Sequence, residues 1–192
     1  RRLDLEENTL ILFTSDNGPV VDDGYHDGAV ENLGDHQPSG GFRGGKYSNF
    51  SAGTRVPWIV SWPGHIAPGV SDALVSQVDL LRSFASLTGH PCPPDVARDS
   101  QDMLAALLGT SPTGRRQLVL QASTTSLREG PWKLIPARNG PAVNRNVNIE
   151  LGNFPTDQLF KLDDDPGEQT NLAAQYPDRV QQMKATLSQI TQ

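Results

Sequence analysis

The most constraining stretch of this chain is Thr9-Leu10-Ile11-Leu12-Phe13-Thr14, a continuous apolar run stopped by Ser15-Asp16-Asn17-Gly18-Pro19. A run of that kind closed by turn formers predicts a buried strand of the type found in parallel sheets. From Val20 to Gly53 the chain becomes rich in Gly, Asp, Asn and His and keeps no period. A loop of that length is uncommon in a compact domain unless it serves a function or is disordered. A second apolar run, Val56 to Trp62, is stopped by Pro63-Gly64. In open α/β sheets ligands bind beyond the carboxyl ends of the strands. The turn at Asp16 and the loop after it are therefore where chemistry is expected.

The remainder reads as shorter elements. Val78, Leu81, Ala85 and Leu87 stand at helical spacing, with Gly89 just past the end as a cap. Asp99 or Ser100 is placed to cap a short helix through Leu104, Leu107 and Leu108, closed by Gly109. After Gly114 the runs at 117–121, 132–135 and 158–162 are short and turn-bounded, which predicts a small antiparallel sheet. Asp163-Asp164-Asp165-Pro166-Gly167 reads as a turn. Pro177 opens a final helix with Val180, Met183, Leu187 and Ile190 on one face. The expected fold class is α/β: residues 1–114 form the C-terminal portion of a sheet domain, incomplete here, and 115–192 a small α+β subdomain with a short antiparallel sheet and a C-terminal helix.

Composition removes several classes of partner. A net charge of −6 with no block of like charge argues against a nucleic-acid partner. The longest apolar stretches fall far short of a bilayer crossing, so no membrane span is expected. One cysteine, Cys92, allows no internal disulfide and does not distinguish an oxidising from a reducing compartment. The opening Arg1-Arg2-Leu3-Asp4-Leu5-Glu6-Glu7 shows neither a start methionine nor an apolar leader, and is read as a cut from something longer.

Asp16 and Asn17 place a carboxylate and an amide oxygen side by side where a strand ends. Such hard oxygen donors suit calcium or magnesium better than zinc. Asp-Asn-Gly is also a common turn, and the pair alone leaves both readings open. Arg43-Gly44-Gly45-Lys46 follows in the long loop. Its glycines allow close backbone approach, and Lys46 is a compact cation able to hold an oxyanion or steady a leaving oxygen. No full phosphate-loop pattern accompanies it. His26 and His36, with Tyr25, Asp27 and Asp35 beside them, are either solvated loop residues or hydrogen-bonding groups that read sugar hydroxyls at a pocket mouth. Arg43 would assist with an anion or brace the loop. Arg55 is expected to pair with a buried acid, and Trp58 and Trp62 to pack.

Four short motifs in order, Thr14-Ser15-Asp16-Asn17-Gly18-Pro19, Arg43-Gly44-Gly45-Lys46, Ala52-Gly53-Thr54-Arg55-Val56-Pro57 and Trp62-Pro63-Gly64, resemble the second half of the type I, formylglycine-dependent sulfatase and arylsulfatase family. The tail is similar as well, through Leu127-Arg128-Glu129-Gly130-Pro131-Trp132-Lys133-Leu134, Leu159-Phe160-Lys161-Leu162, Asp165-Pro166-Gly167-Glu168 and Asn171-Leu172. Bacterial polysaccharide sulfatases are the nearest likeness. The resemblance implies an alkaline-phosphatase-like sulfatase fold. It makes Asp16 and Asn17 two ligands of one Ca2+ shared with acidic residues in a missing N-terminal part, and Lys46 the catalytic lysine on the sulfate. His26, His36 and Arg43 become candidates for substrate binding.

In the family the nucleophile is a formylglycine hydrate made from a Cys or Ser in a Cys/Ser-x-Pro-Ser-Arg motif; it attacks sulfur and expels the alcohol. Cys92-Pro93-Pro94 begins like that motif, but Asp95 and Val96 stand where Ser and Arg are required, and it follows Asp16-Asn17 in the chain. The formylglycine is therefore expected in the missing part, and residues 1–192 alone are expected to be inactive. The expected substrate is a sulfated carbohydrate, with 6-sulfated galactose or N-acetylgalactosamine in view, and the expected address is periplasmic or secreted.

Two alternatives stand beside this. A phosphatase or phosphonate-ester hydrolase of the same superfamily would share the fold, but its two-metal members carry Asp-His at the strand end, where this chain has Asn17. A non-catalytic, degenerate binding relative would keep the scaffold without turnover.

Overall fold

The computed structural model describes residues 2–191. The chain divides into two compact units, Arg1–Thr14 with Trp58–Arg116, and Ser15–Pro57 with Gln117–Gln192. Among the described residues no helix is long and apolar enough to cross a membrane.

In the first unit, β1 (Ile11–Thr14) pairs antiparallel with β2 (Trp58–Ser61), Ile11 opposite Ser61 and Thr14 opposite Trp58. Helices α2 (Leu80–Leu87) and α3 (Leu104–Leu107) complete it, α1 (Ser51–Thr54) belonging to the second unit. Leu10, Leu12 and Val60 come together with Leu80, Phe84, Leu104, Leu107 and Leu108 around a small apolar gap. The opposite face of the pair is bare, with Ile11, Phe13 and Ile59 each about 60 % exposed. The antiparallel pairing differs from the parallel-sheet strand that the apolar run predicts. Side chains alternate across a strand, and within the described residues only one face finds a partner.

The helical face of α2 is also shifted from its expectation. Leu80 and Phe84 turn inward with buried Ser83, whereas Val78 and Leu81 are exposed. The phase is set just ahead of the helix by a capping box, Ser76 with Asp79. Asp79 is fully buried, accepts from Gln101 N at 2.9 Å, and forms a two-point pair with Arg115 Nε at 2.8 Å and Nη2 at 2.6 Å. With Asp79 facing in, Leu80 and Ser83 share its side. Gly89 does close the helix in the left-handed region, at φ +69°. At α3 the expected caps are otherwise employed: Ser100 Oγ accepts from Arg82 N, and it is the Asp102 carboxylate that accepts from Leu104 N at 3.0 Å.

The second unit is built on a four-stranded antiparallel sheet. Its strands are β3 (Gln117–Gln121), β4 (Thr125–Glu129), β5 (Trp132–Ile135) and β8 (Gln158–Lys161), adjacent in that order. A two-residue hairpin, β6 (Val143–Asn144) with β7 (Ile149–Glu150), lies between β5 and β8 in the chain. Three of the four strands coincide with predicted runs. The fourth, β4, is too polar to announce itself, carrying Leu127 as its one large apolar residue.

Alternation across this sheet makes two cores. Leu127, Leu134 and Leu159 face α4 (Pro177–Ile190) and bury Val180, Met183 and Leu187. Burial of each such side chain contributes about 1.5–3 kcal/mol. Ile190, expected on that face, is 45 % exposed at the fraying end. On the other face Ile135 and Phe160 pack with Phe50 and Leu162, which brings residues from the long irregular loop onto the sheet.

Candidate functional site

The loop from Arg43 to Thr54 is held by glycines that have no room for a side chain. A Cβ on Gly18 would fall inside the carbonyl oxygen of Ala52, and one on Gly53 inside the carbonyl oxygen of Ser48. Gly44 sits at φ +85° against Ser48, and a Cβ on Gly45 would lie 2.8 Å from Pro19 O. Backbones at this range bond directly: Gly18 N donates to Gly53 O at 3.0 Å, and Lys46 N donates to Pro19 O at 2.8 Å. The Asp16–Pro19 turn and the Gly44-Gly45-Lys46 turn, far apart in sequence, are thereby locked side by side.

This places three of the predicted site residues in one locality. Asp16 is exposed and Asn17 and Lys46 are half-buried. Asn17 Nδ2 donates to Gly18 O at 2.9 Å, which leaves the side-chain oxygen as the donor atom available to a cation. The Asp16 carboxylate accepts no hydrogen bond among the described residues. Two neighbouring hard oxygens fit part of a calcium or magnesium shell, which takes six or more. Among the described residues no group of three or more His, Cys, Asp or Glu could hold a metal by itself. The Lys46 ammonium has no ion-pair partner among the described residues; the ring of Tyr47, 5.5 Å away, is its neighbour. Tyr47 itself is held at φ +75°, a left-handed conformation that side chains seldom adopt.

Arg43 is engaged elsewhere. Its Nε and Nη2 donate to Glu150 at 2.7 and 3.1 Å, its Nη1 donates to Glu168 O at 2.7 Å, and its guanidinium lies 3.9 Å over the Phe50 ring. Glu150's hydrogen bond holds the guanidinium above its ordinary value, and Arg43 in turn holds the Glu150 carboxyl below the usual glutamate range. Of the two readings the sequence left open, the structure displays the bracing one.

His26 and His36 are exposed and lie in a stretch secured by short-range bonds only, such as Gly24 N to Asp22, Ala29 N to Asp27, and His36 N to Leu33 O. Nothing in the described residues brings them to Lys46. Arg55 is exposed too, and stacks 4.6 Å over Phe42 in place of the buried acid expected for it. Trp62 donates to Glu7 O and packs on His65, and the Cys92 sulfur lies near Val96 O.

Beneath the loop lies a set of polar groups to which the sequence assigned no role. Asn49 is fully buried; its Nδ2 donates to Leu151 O and Ser123 Oγ, and its Oδ1 accepts from Thr124 N. Lys133 and Glu168, 1 % and 0 % exposed, form an ion pair at 2.8 Å. Burial pushes the Lys133 ammonium below its ordinary value while Glu168 draws it back up. The available signal was strand parity. Lys133 shares its side of β5 with Ile135, and it pairs across to Phe160, so its side chain had to enter the core on the loop's face.

The family model for sulfatases matches residues 1–90. The chain is 45 % identical over 190 residues to an N-acetylgalactosamine-6-O-sulfatase of Bacteroides thetaiotaomicron, covering 98 % of this chain and 37 % of that protein. It is 34 % identical over 202 residues to human arylsulfatase A, covering 95 % and 38 %. A solved structure from work on the metabolism of multiple glycosaminoglycans by Bacteroides thetaiotaomicron superposes with a TM-score of 0.94 at 44 % identity, over 98 % of this chain and 40 % of that one. A Pseudoalteromonas sulfatase superposes with a TM-score of 0.72 at 27 % identity, over 96 % and 37 %. The chain thus spans under two fifths of the length of these curated relatives.

Proposed function

The chain belongs to the sulfatase family, and on that premise we propose that it is the C-terminal portion of an enzyme that hydrolyses sulfate esters on a glycan. The observation that carries this reading is the lock between two turns. The bond from Lys46 N to Pro19 O holds the turn that carries Lys46 against the turn that carries Asp16 and Asn17, and among the described residues the Lys46 ammonium has no ion-pair partner. An ammonium next to a hard-cation site is suited to an oxyanion, and the sulfate group is the oxyanion the family acts on.

In this reading Asp16 and Asn17 would hold a calcium ion together with ligands from outside these 192 residues. The ion when bound would offset charge on the sulfate oxygens. Lys46 donates to a sulfate oxygen or to the departing alkoxide, and its confinement by the glycine-clamped loop keeps that donation aimed. The formylglycine nucleophile also lies outside this chain, so residues 1–192 by themselves have no turnover. A 6-O-sulfated N-acetylgalactosamine or galactose unit is the proposed substrate, supported by the 45 % identity to an enzyme named for the former. A periplasmic or secreted address accords with such a polymer.

The test is Lys46→Ala in the full-length protein, assayed on 6-O-sulfated N-acetylgalactosamine. Turnover should fall by about two to three orders of magnitude, the usual cost of one electrostatic donor, with binding of the substrate retained. Turnover near the parent value would remove Lys46 from the mechanism. Faster turnover of the matching phosphate ester by the parent would replace sulfatase with phosphatase.

A further inference from the structure

The loop that carries Lys46 is gripped at both ends by one residue. Glu168 Oε2 accepts from Ser51 N at 2.5 Å, and the Glu168 carbonyl accepts from Arg43 Nη1 at 2.7 Å. Ala52 N donates to Arg43 O at 2.9 Å and draws the two ends together. Lys46 stands near the middle of the enclosed segment. Glu168 itself has φ +52°, a strained setting for a residue with a side chain, held there by Glu168 N donating to Asp165 O.

A neutral acceptor would satisfy Ser51 N. Using a fully buried carboxylate obliges the fold to bury a cation as well, and Lys133 supplies it at 2.8 Å, with a longer bond to Ser51 Oγ at 3.4 Å. Buried ion pairs contribute little or nothing to stability beyond what an apolar pair of equal volume would give. In some proteins they provide specificity of arrangement instead, since a displacement strands a charge away from its partner and from water. Here the geometry so enforced is that of residues 43–51, the segment on which Lys46 depends.

We infer that Glu168, with Lys133 as its counter-ion, is a positioning residue that fixes the 43–51 loop and so sets where the Lys46 ammonium stands. The step from loop to catalysis rests on the sulfatase reading of Lys46; the step from Glu168 to loop does not.

Glu168→Asp in the full-length protein tests both steps, because it keeps the buried charge and withdraws the carboxylate by one methylene. Hydrogen exchange of the amides at 44–51 should quicken at least tenfold, while those of β4, β5 and α4 stay as in the parent. On 6-O-sulfated N-acetylgalactosamine, kcat should fall at least tenfold with KM within about threefold. Lys46→Ala added to Glu168→Asp should cost less than Lys46→Ala alone, because the two act through one group. Unchanged exchange at 44–51 overturns the proposal, as does a loosened loop with kcat within twofold of the parent, or effects of the two substitutions that simply multiply. If Lys46→Ala alone leaves turnover intact, the sulfatase role of Lys46 fails separately, and exchange at 44–51 decides whether Glu168 anchors the loop. Should Glu168→Asp not fold, the charge-free pair Lys133→Met with Glu168→Leu carries the same measurements and the same outcomes.

Discussion

Residues 20–41 and 42–53 belong to one irregular stretch, yet they are secured in opposite ways. The first part is exposed almost throughout and closes on itself through turns spanning two to four residues, as at Asp22, Asp23, Asp27 and Asn32. The second part is tied over long sequence separations, to Pro19, Leu151, Thr124 and Glu168, and buries Ser48, Asn49 and Phe50 outright. The contrast divides labour. A group that must meet a reacting atom in one fixed place, as Lys46 is proposed to do, stands on the part held from many directions. Groups that would meet a variable glycan, His26 and His36, stand on the part free to adapt.

The glycines give the largest expected effects with which to break this comparison. Gly53→Ala drives a Cβ into the backbone oxygens of Ser48 and Gly45, and neither can yield without opening the lock on Gly18. The cost should reach about 3 kcal/mol, the upper range for overpacking, and thermal unfolding of the full-length protein would register it alongside loss of turnover. Gly40→Ala is the control, since a Cβ there meets nothing within 4 Å and only its φ of +59° resists. That substitution should cost about 1–2 kcal/mol. Equal losses at the two positions would mean that the second part of the stretch is no more tightly built than the first.

A smaller effect concerns the outer brace of the tight part. Arg43 holds the Glu150 carboxyl below its ordinary value of 4.5, and it is the folded state that gains. A depressed carboxyl stabilises fully above its unfolded value and loses that contribution as pH falls through the folded one. At pH 7 the parent should therefore be more stable than Glu150→Gln. Glu150 is half exposed, so the gap should stay below about 1 kcal/mol. Stability curves of the two proteins should converge as pH drops below 4.5. A gap that persists into acid would show that Glu150 acts through its shape and not its charge.

What could be read beforehand follows the range of the forces involved. The runs at 117–121, 132–135 and 158–162 were legible because strand formation is written in adjacent residues, and β3, β5 and β8 lie where those runs stand. The last helix was legible for the same reason, from Pro177 to the spacing of Val180, Met183 and Leu187. The phase of α2 was not, because the Ser76–Asp79 capping box that sets it turns Asp79 inward to a partner, Arg115, thirty-six residues further on. At the site, the motifs pointed to Asp16, Asn17 and Lys46. Their support, Glu168 and Lys133, was hidden because each looks like a surface charge until parity and long-range pairing put it inside.

The smallest effect belongs to the loose part of the stretch, and it tests whether exposure there means idleness or readiness. If His26 and His36 donate to sugar hydroxyls, each replaces a bond to water with a bond to ligand, a net gain of about 0.5–1.5 kcal/mol. His26→Ala and His36→Ala in the full-length protein should then each raise KM about two- to tenfold on a sulfated oligosaccharide and leave kcat alone. The same variants should bind a single 6-O-sulfated N-acetylgalactosamine as the parent does, if the histidines read neighbouring units rather than the sulfated one. Unfolding temperatures should not move, since both side chains are exposed and only the His36 backbone is bonded. A fall in kcat would instead place that histidine with Lys46, and the division between the two parts of the stretch would have to be redrawn at that residue.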